Sequence, residues 1–163
     1  MKRGAVAAAI AAIAVLVVWQ ARLQRGERSS RGASASAIRV LRTIAKAQSE
    51  YTTSTGNGGY AGSLAALATP CSGVATALLP SDLGLDPTVK FGYEIRLHVK
   101  PSAKQVSVDC NGEATYDGFY ATAAPTSVTK EKQPAFATDE TGTVWFDANG
   151  IPPAPPFGGS VVR

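Results

Sequence analysis

The sequence predicts an α+β fold, with one long N-terminal helix packed on an antiparallel sheet of four or five strands. Three observations predict it. No proline interrupts residues 1–69. Within "ASAIRVLRTIAKAQSEY" the residues Ile38, Leu41, Ile44, Ala45, Gln48 and Tyr51 recur at steps of three or four, one face of a helix. After Pro70 the period changes to alternation, the mark of half-buried strands.

The elements follow in order. Lys2 and Arg3 open the chain, and Gly4 to Trp19 carry no charge over 16 residues. As a helix they reach about 24 Å against a hydrocarbon core of roughly 30 Å. Running on to Leu23, with Trp19 at the interface and Arg22 snorkelling, the helix just spans. A cleaved signal peptide is the rival, but the small-x-small triplets Ala33-Ser34-Ala35 and Ala35-Ser36-Ala37 lie well past the apolar run. The expectation is therefore a retained transmembrane anchor over 1–23. An amphipathic stalk helix follows over 24–53, with Arg39, Arg42, Lys46, Ser49 and Glu50 on its polar face. Gly26 and Gly32 weaken it by about 1 kcal/mol each. "STGNGG", Ser54–Gly59, ends it.

A globular head is expected over 54–150. "SLAALA" reads as a short helix capped by Ser63 and stopped by Pro70. In "FGYEIRLHVK" Tyr93, Ile95, Leu97 and Val99 face one side, and Glu94, Arg96, His98 and Lys100 the other. "PSAK" is a turn from which "QVSVDC" returns with Val106, Val108 and Cys110 inward. "DGFYATAAP" is a further strand, and "PAFATDETGTVWFD" a hairpin turning at Glu140-Thr141-Gly142. The tail over 151–163, "IPPAPPFGGSVVR", reads as extended or loose.

With 163 residues the chain has room for one domain beyond the anchor. Its net charge of +4 is an average of two unlike parts. Residues 1–50 hold nine Lys/Arg against two acids, a net +7, and residues 51–163 hold seven against ten, a net −3. A nucleic-acid-binding patch would therefore lie on the stalk, where Arg22, Arg25, Arg28 and Arg31 drift around the helix; lipid headgroups are their expected partner. Counted by the positive-inside rule, these arginines place the head in the cytoplasm. Cys71 and Cys110 point the other way. Without a CxxC, and with one histidine, they make no zinc site; the readings are one disulfide in an oxidising compartment or two free thiols, and the anchor favours the disulfide.

No residue pattern for catalysis, cofactor or metal stands out. His98 falls on the polar face of its strand without a nucleophile in pattern and reads as a solvated histidine. "GNGG" follows a helix and lacks the lysine of a phosphate loop. "DANG", Asp147–Gly150, has the opening rhythm of a calcium loop but not its later acidic ligands, and reads as a turn. Tyr51, Tyr60, Tyr93, Phe119, Tyr120, Phe136, Trp145 and Phe146 are assigned to core and cross-strand packing.

"ASAIRVLRTIAKAQSEY", "GGYAGSLAALATPC", Gly92-Tyr93, "DGFYATAAP" and "FATDETGTVW", in that order over roughly residues 33–150, resemble the type IV pilin and type II secretion pseudopilin family. The resemblance implies a helix that is half anchor and half packed on a small antiparallel sheet. It implies a non-enzymatic structural subunit of the bacterial inner membrane. The head would lie in the periplasm or at the cell surface, and the partners would be other pilin-like subunits, assembly proteins and the bilayer. No small-molecule substrate or nucleic acid is expected. The sequence departs from the family at its start: aligned through "ASAI", Val6 falls where the family has a docking glutamate, and "KRGAV" follows the cleavage position. A membrane-tethered monomeric periplasmic binding module with a pilin-like head is the alternative.

Overall fold

The computed structural model describes residues 3–73, 76–127 and 133–162, with side chains from Ser29 onward. The anchor expected over 1–23 and the arginines at 22, 25 and 28 lie outside the residues whose side chains are described. Among the described residues no helix is long and apolar enough to cross a membrane. The chain divides into two compact units, Met1–Ala33 and Ser34–Arg163.

Helix α1 runs over Arg3–Ser54. In the second unit its buried face carries Val40, Leu41, Ile44, Ala47, Gln48 and Tyr51, with Ala37 one turn earlier. The stripe read from the sequence is this face rotated slightly: Ile38 and Ala45 sit at its margin, half-buried, and Ala37, Val40 and Ala47 replace them at the centre. Small residues at 37 and 47 let the helix approach closely. Arg39, Arg42, Lys46, Ser49 and Glu50 are exposed, as the polar face requires. The helix ends where the sequence breaks. Tyr51 O accepts from the amides of Thr55 and Gly56, and Asn57 and Gly58 adopt positive φ. Gly56 is required there, since a Cβ would sit 2.5 Å from the Tyr51 ring.

The head is all antiparallel. A six-stranded sheet has the order β2(Thr88–Lys90), β3(Tyr93–Val99), β6(Phe119–Pro125), β7(Ala135–Asp139), β8(Val144–Asp147), β9(Ser160–Val161). A three-stranded sheet has the order β1(Tyr60–Ala61), β5(Ala114–Tyr116), β4(Gln105–Val108). That is nine strands among the described residues where the sequence suggested four or five. The additions are short: β1, β2, β5 and β9 have two or three residues each, below the length at which alternation is readable. The short helix α2, Leu64–Ala68, is capped by the Ser63 hydroxyl, which accepts from the Ala66 amide.

Pairing aligns the side chains into rows. Ile95, Ala123, Phe136 and Phe146 form one inner row, and Leu97, Ala121, Thr138 and Val144 the next. On the opposite, outer face lie Arg96, Thr122, Ala137, Trp145 and Val161, then His98, Tyr120 and Asp139. α1 joins the inner face, where the Ser34 hydroxyl lies 3.0 Å from that of Tyr93.

One expectation is corrected. The strand "QVSVDC" does not return beside β3. That place is taken by β6, whose seven residues match the seven of β3, and β4 pairs with β5 instead. A register shift between Gln105 and Ser107 turns Val106 and Val108 outward, 51% and 46% exposed, and Cys110 is exposed as well. Asp109 is the buried residue of the segment. Of the two readings of the tail, extended or loose, the structure has the extended one. β9 closes the sheet beside β8, and the Val162 amide donates to Val144 O. Between β8 and β9 the proline-rich segment 151–159 crosses the outer face as a strap. β7 is therefore covered on both sides, and all five of its residues are buried.

Candidate functional site

The outer face of the six-stranded sheet, with its strap, is the part of the head where polar, aromatic and proline side chains converge. Phe157 stacks on Trp145 with ring centroids 4.2 Å apart and planes 9° from parallel, and meets Tyr120 edge-on at 6.2 Å. A groove of about 530 Å³ lies on one side, between Lys100, Ser102, Asp139, Thr141 and Trp145 of the body and Pro155, Pro156 and Phe157 of the strap. A second, of about 290 Å³, lies where Pro152, Pro153 and Ala154 pass Glu94, Arg96, His98, Tyr120 and Thr122.

Each groove has its own electrostatics. In the larger, the Lys100 ammonium donates to Asp139 Oδ2 at 3.0 Å and to a Glu140 carboxylate oxygen. Burial opposes the ammonium charge, but hydrogen bonds to Glu140 and Asp139 more than offset it and raise the Lys100 pKa. The second oxygen of Asp139 accepts from the Thr141 amide and hydroxyl, which fixes the β7–β8 turn. In the smaller groove His98 is half-buried and stacked on Tyr120, centroids 4.6 Å apart. Its Nε2 lies 3.2 Å from the Thr122 hydroxyl. Burial pushes its pKa down, with Arg96 adding to the effect and Asp86 opposing it. His98 does stand on the polar face, yet it is packed there instead of solvated.

The cysteine pair lies elsewhere. Cys71 and Cys110 are bonded to one another, with Cα atoms 5.7 Å apart, and tie the segment after α2 to the end of β4. Next to Cys110, buried Asp109 accepts the Tyr51 hydroxyl at 2.8 Å and the amides of Asn111 and Glu113. Burial first, and the Asp109 bond second, push the Tyr51 pKa up. Gln48 clamps β1: its amide nitrogen donates to Ala61 O at 2.9 Å and its oxygen accepts from Ala61 N at 2.8 Å. These bonds hold α1 to the small sheet and serve structure.

Of the aromatic residues singled out in the sequence, Tyr51, Tyr93, Phe119 and Phe136 are core. Tyr120 and Trp145 instead meet the strap, because Phe157 lies in the segment whose proline composition reads as loose. The alternation of "TVWFD" does place Trp145 opposite Phe146, and that was the available signal. "DANG" is a turn: Asp147 Oδ1 accepts the Asn149 amide at 2.7 Å, and Gly150 adopts φ 82°. Among the described residues no group of three His, Cys, Asp or Glu is arranged to hold a metal ion. Compared with protein-family models, curated proteins and solved structures, the chain matches none.

Proposed function

We propose that the chain is a non-enzymatic, pilin-like structural subunit, anchored by residues 1–23 and acting through contacts between subunits in a pilus or secretion assembly. The observation that carries it is helix α1. It is one helix of 52 residues, its sequence after Arg3 is the uncharged run Gly4–Trp19, and its last 21 residues, from Ser34, belong to the sheet-bearing unit. A helix whose ends have such different chemistry suits a subunit held in a bilayer and carrying an extracytoplasmic head. The bonded cysteine pair is in keeping with that side of the membrane. A topology reporter fused after Arg163 tests the reading: activity of a periplasm-dependent reporter is expected, and a cytoplasmic head would sink it.

The second reading, a tethered monomeric binding module, is favoured by the groove of about 530 Å³. Lysine cross-linking in native membranes separates the two. Adducts between copies support the subunit, and adducts to no copy of the chain favour the module.

A further inference from the structure

The strap is held to the outer face almost wholly by apolar contact. Phe157 stacks on Trp145, and the prolines line both grooves. Among the described residues, no hydrogen bond joins Pro152–Gly159 to the sheet below; the first comes with β9 and the Val162 amide. The segment starts after Gly150 at φ 82° and ends at Gly159 at φ 145°, backbone states that favour glycine. To leave the face, the segment has only the two-residue β9 and the Val162 amide bond to unpair, so it opens at less cost than the longer strands beneath it. Opening uncovers Trp145, Ala137 and Thr122, a face shaped for this sequence.

We propose that the outer face is an interaction surface for the proline-rich strap of a second copy, so that neighbouring subunits exchange segment 151–162. The occupant is identified by fit: this sequence is seated on this face within one chain, and an exchanged strap makes the same contacts from the neighbour. Aromatic grooves take proline-rich segments because these lose little conformational entropy on binding. The strap within a chain competes at an effective concentration of order millimolar. Exchange is therefore confined to copies held side by side. The inference rests on the subunit reading for that crowding and adds to it the surface through which heads meet.

The test places a photoreactive p-benzoylphenylalanine at position 157 of the full chain, expressed with a differently tagged copy in native membranes. Adducts joining the two tags, mapped to Tyr120 or Trp145, are expected. In parallel, a Trp145→Ala copy, which keeps a strap, is paired with a Phe157→Ala copy, which keeps a face. Their mixture should co-purify about tenfold better than either copy with itself, the worth of one aromatic anchor. Lysine cross-linking on the same membranes reports contact between copies by any route. If it joins copies while the position-157 adducts stay within one chain, strap exchange is overturned and the subunit reading stands. If neither reagent joins copies, both fail.

Discussion

Replacing Gln48 by leucine removes the clamp between α1 and β1 with little change of shape. The Gln48 side chain is fully buried, and Ala61, which it bonds through both backbone groups, is 1% exposed. Water does not reach Ala61 to replace the lost partners. An unsatisfied buried donor or acceptor costs about 1–3 kcal/mol, and Gln48→Leu leaves one of each. Leucine returns about 1 kcal/mol of apolar burial. The net loss is about 1–5 kcal/mol, against a total stability of about 5–15 kcal/mol for a single domain. The assay is urea unfolding of the full chain in detergent, followed by Trp145 fluorescence in a Trp19→Phe background. The midpoint should fall with the slope unchanged, because the buried surface is the same. Gln48→Met, which also lacks the amide, should lose a similar amount. Loss below about 0.5 kcal/mol in both variants would refute the reasoning, since it would mean that the Ala61 groups find other partners at no cost.

Three further outcomes follow from the head. Phe91 and Gly92 form the two-residue β2–β3 turn with both φ positive, at 54° and 78°, and Phe91 is 60% exposed; Phe91→Asn should stabilise by about 1 kcal/mol, read as a rise in melting temperature. His98 has its pKa lowered chiefly by burial, so the stability it contributes is present above its ordinary value of about 6.5 and lost as pH falls below it; a urea-midpoint series from pH 8 to 5 should show that loss, and His98→Gln should flatten it. Reducing the Cys71–Cys110 bond, which spans a sequence separation of 39, should cost about 4 kcal/mol on the chain-entropy account, and urea unfolding with and without reductant measures it.

What was legible in the sequence followed from strong periods. The amphipathic half of α1, the capped α2, the β3 and β6 strands and the β7–β8 hairpin each have four or more residues of one pattern, or a capping residue in place. β4 misled because alternation gives a strand two faces without saying which is buried. Val106 and Val108 alternate with polar residues as a core strand would, and one register shift sends them outward. Partner choice was illegible for a related reason. "PSAK" has the length and composition of a hairpin turn, and the chain does turn there, Ala103 N donating to Lys100 O, but it passes to another sheet.

The outer face shows where composition fails as a guide. Prolines at 152, 153, 155 and 156 remove backbone donors, and a segment poor in donors reads as extended or loose. Yet the same loss of donors suits it to lie flat on side chains, where a normal backbone would carry unsatisfied amides. β7 needs such a cover. Ala135 and Ala137 point outward and Trp145 stands beside them, an apolar strip in the middle of a face whose margins are Arg96, His98 and Lys100. A sheet with α1 on its inner face and nothing on this strip would leave apolar area in water in the isolated head. The strap removes that area at small entropic cost, and because it does so with few directional bonds the cover remains exchangeable. The loss of donors that left the tail's reading open in the sequence is thus what lets it lie flat on the sheet.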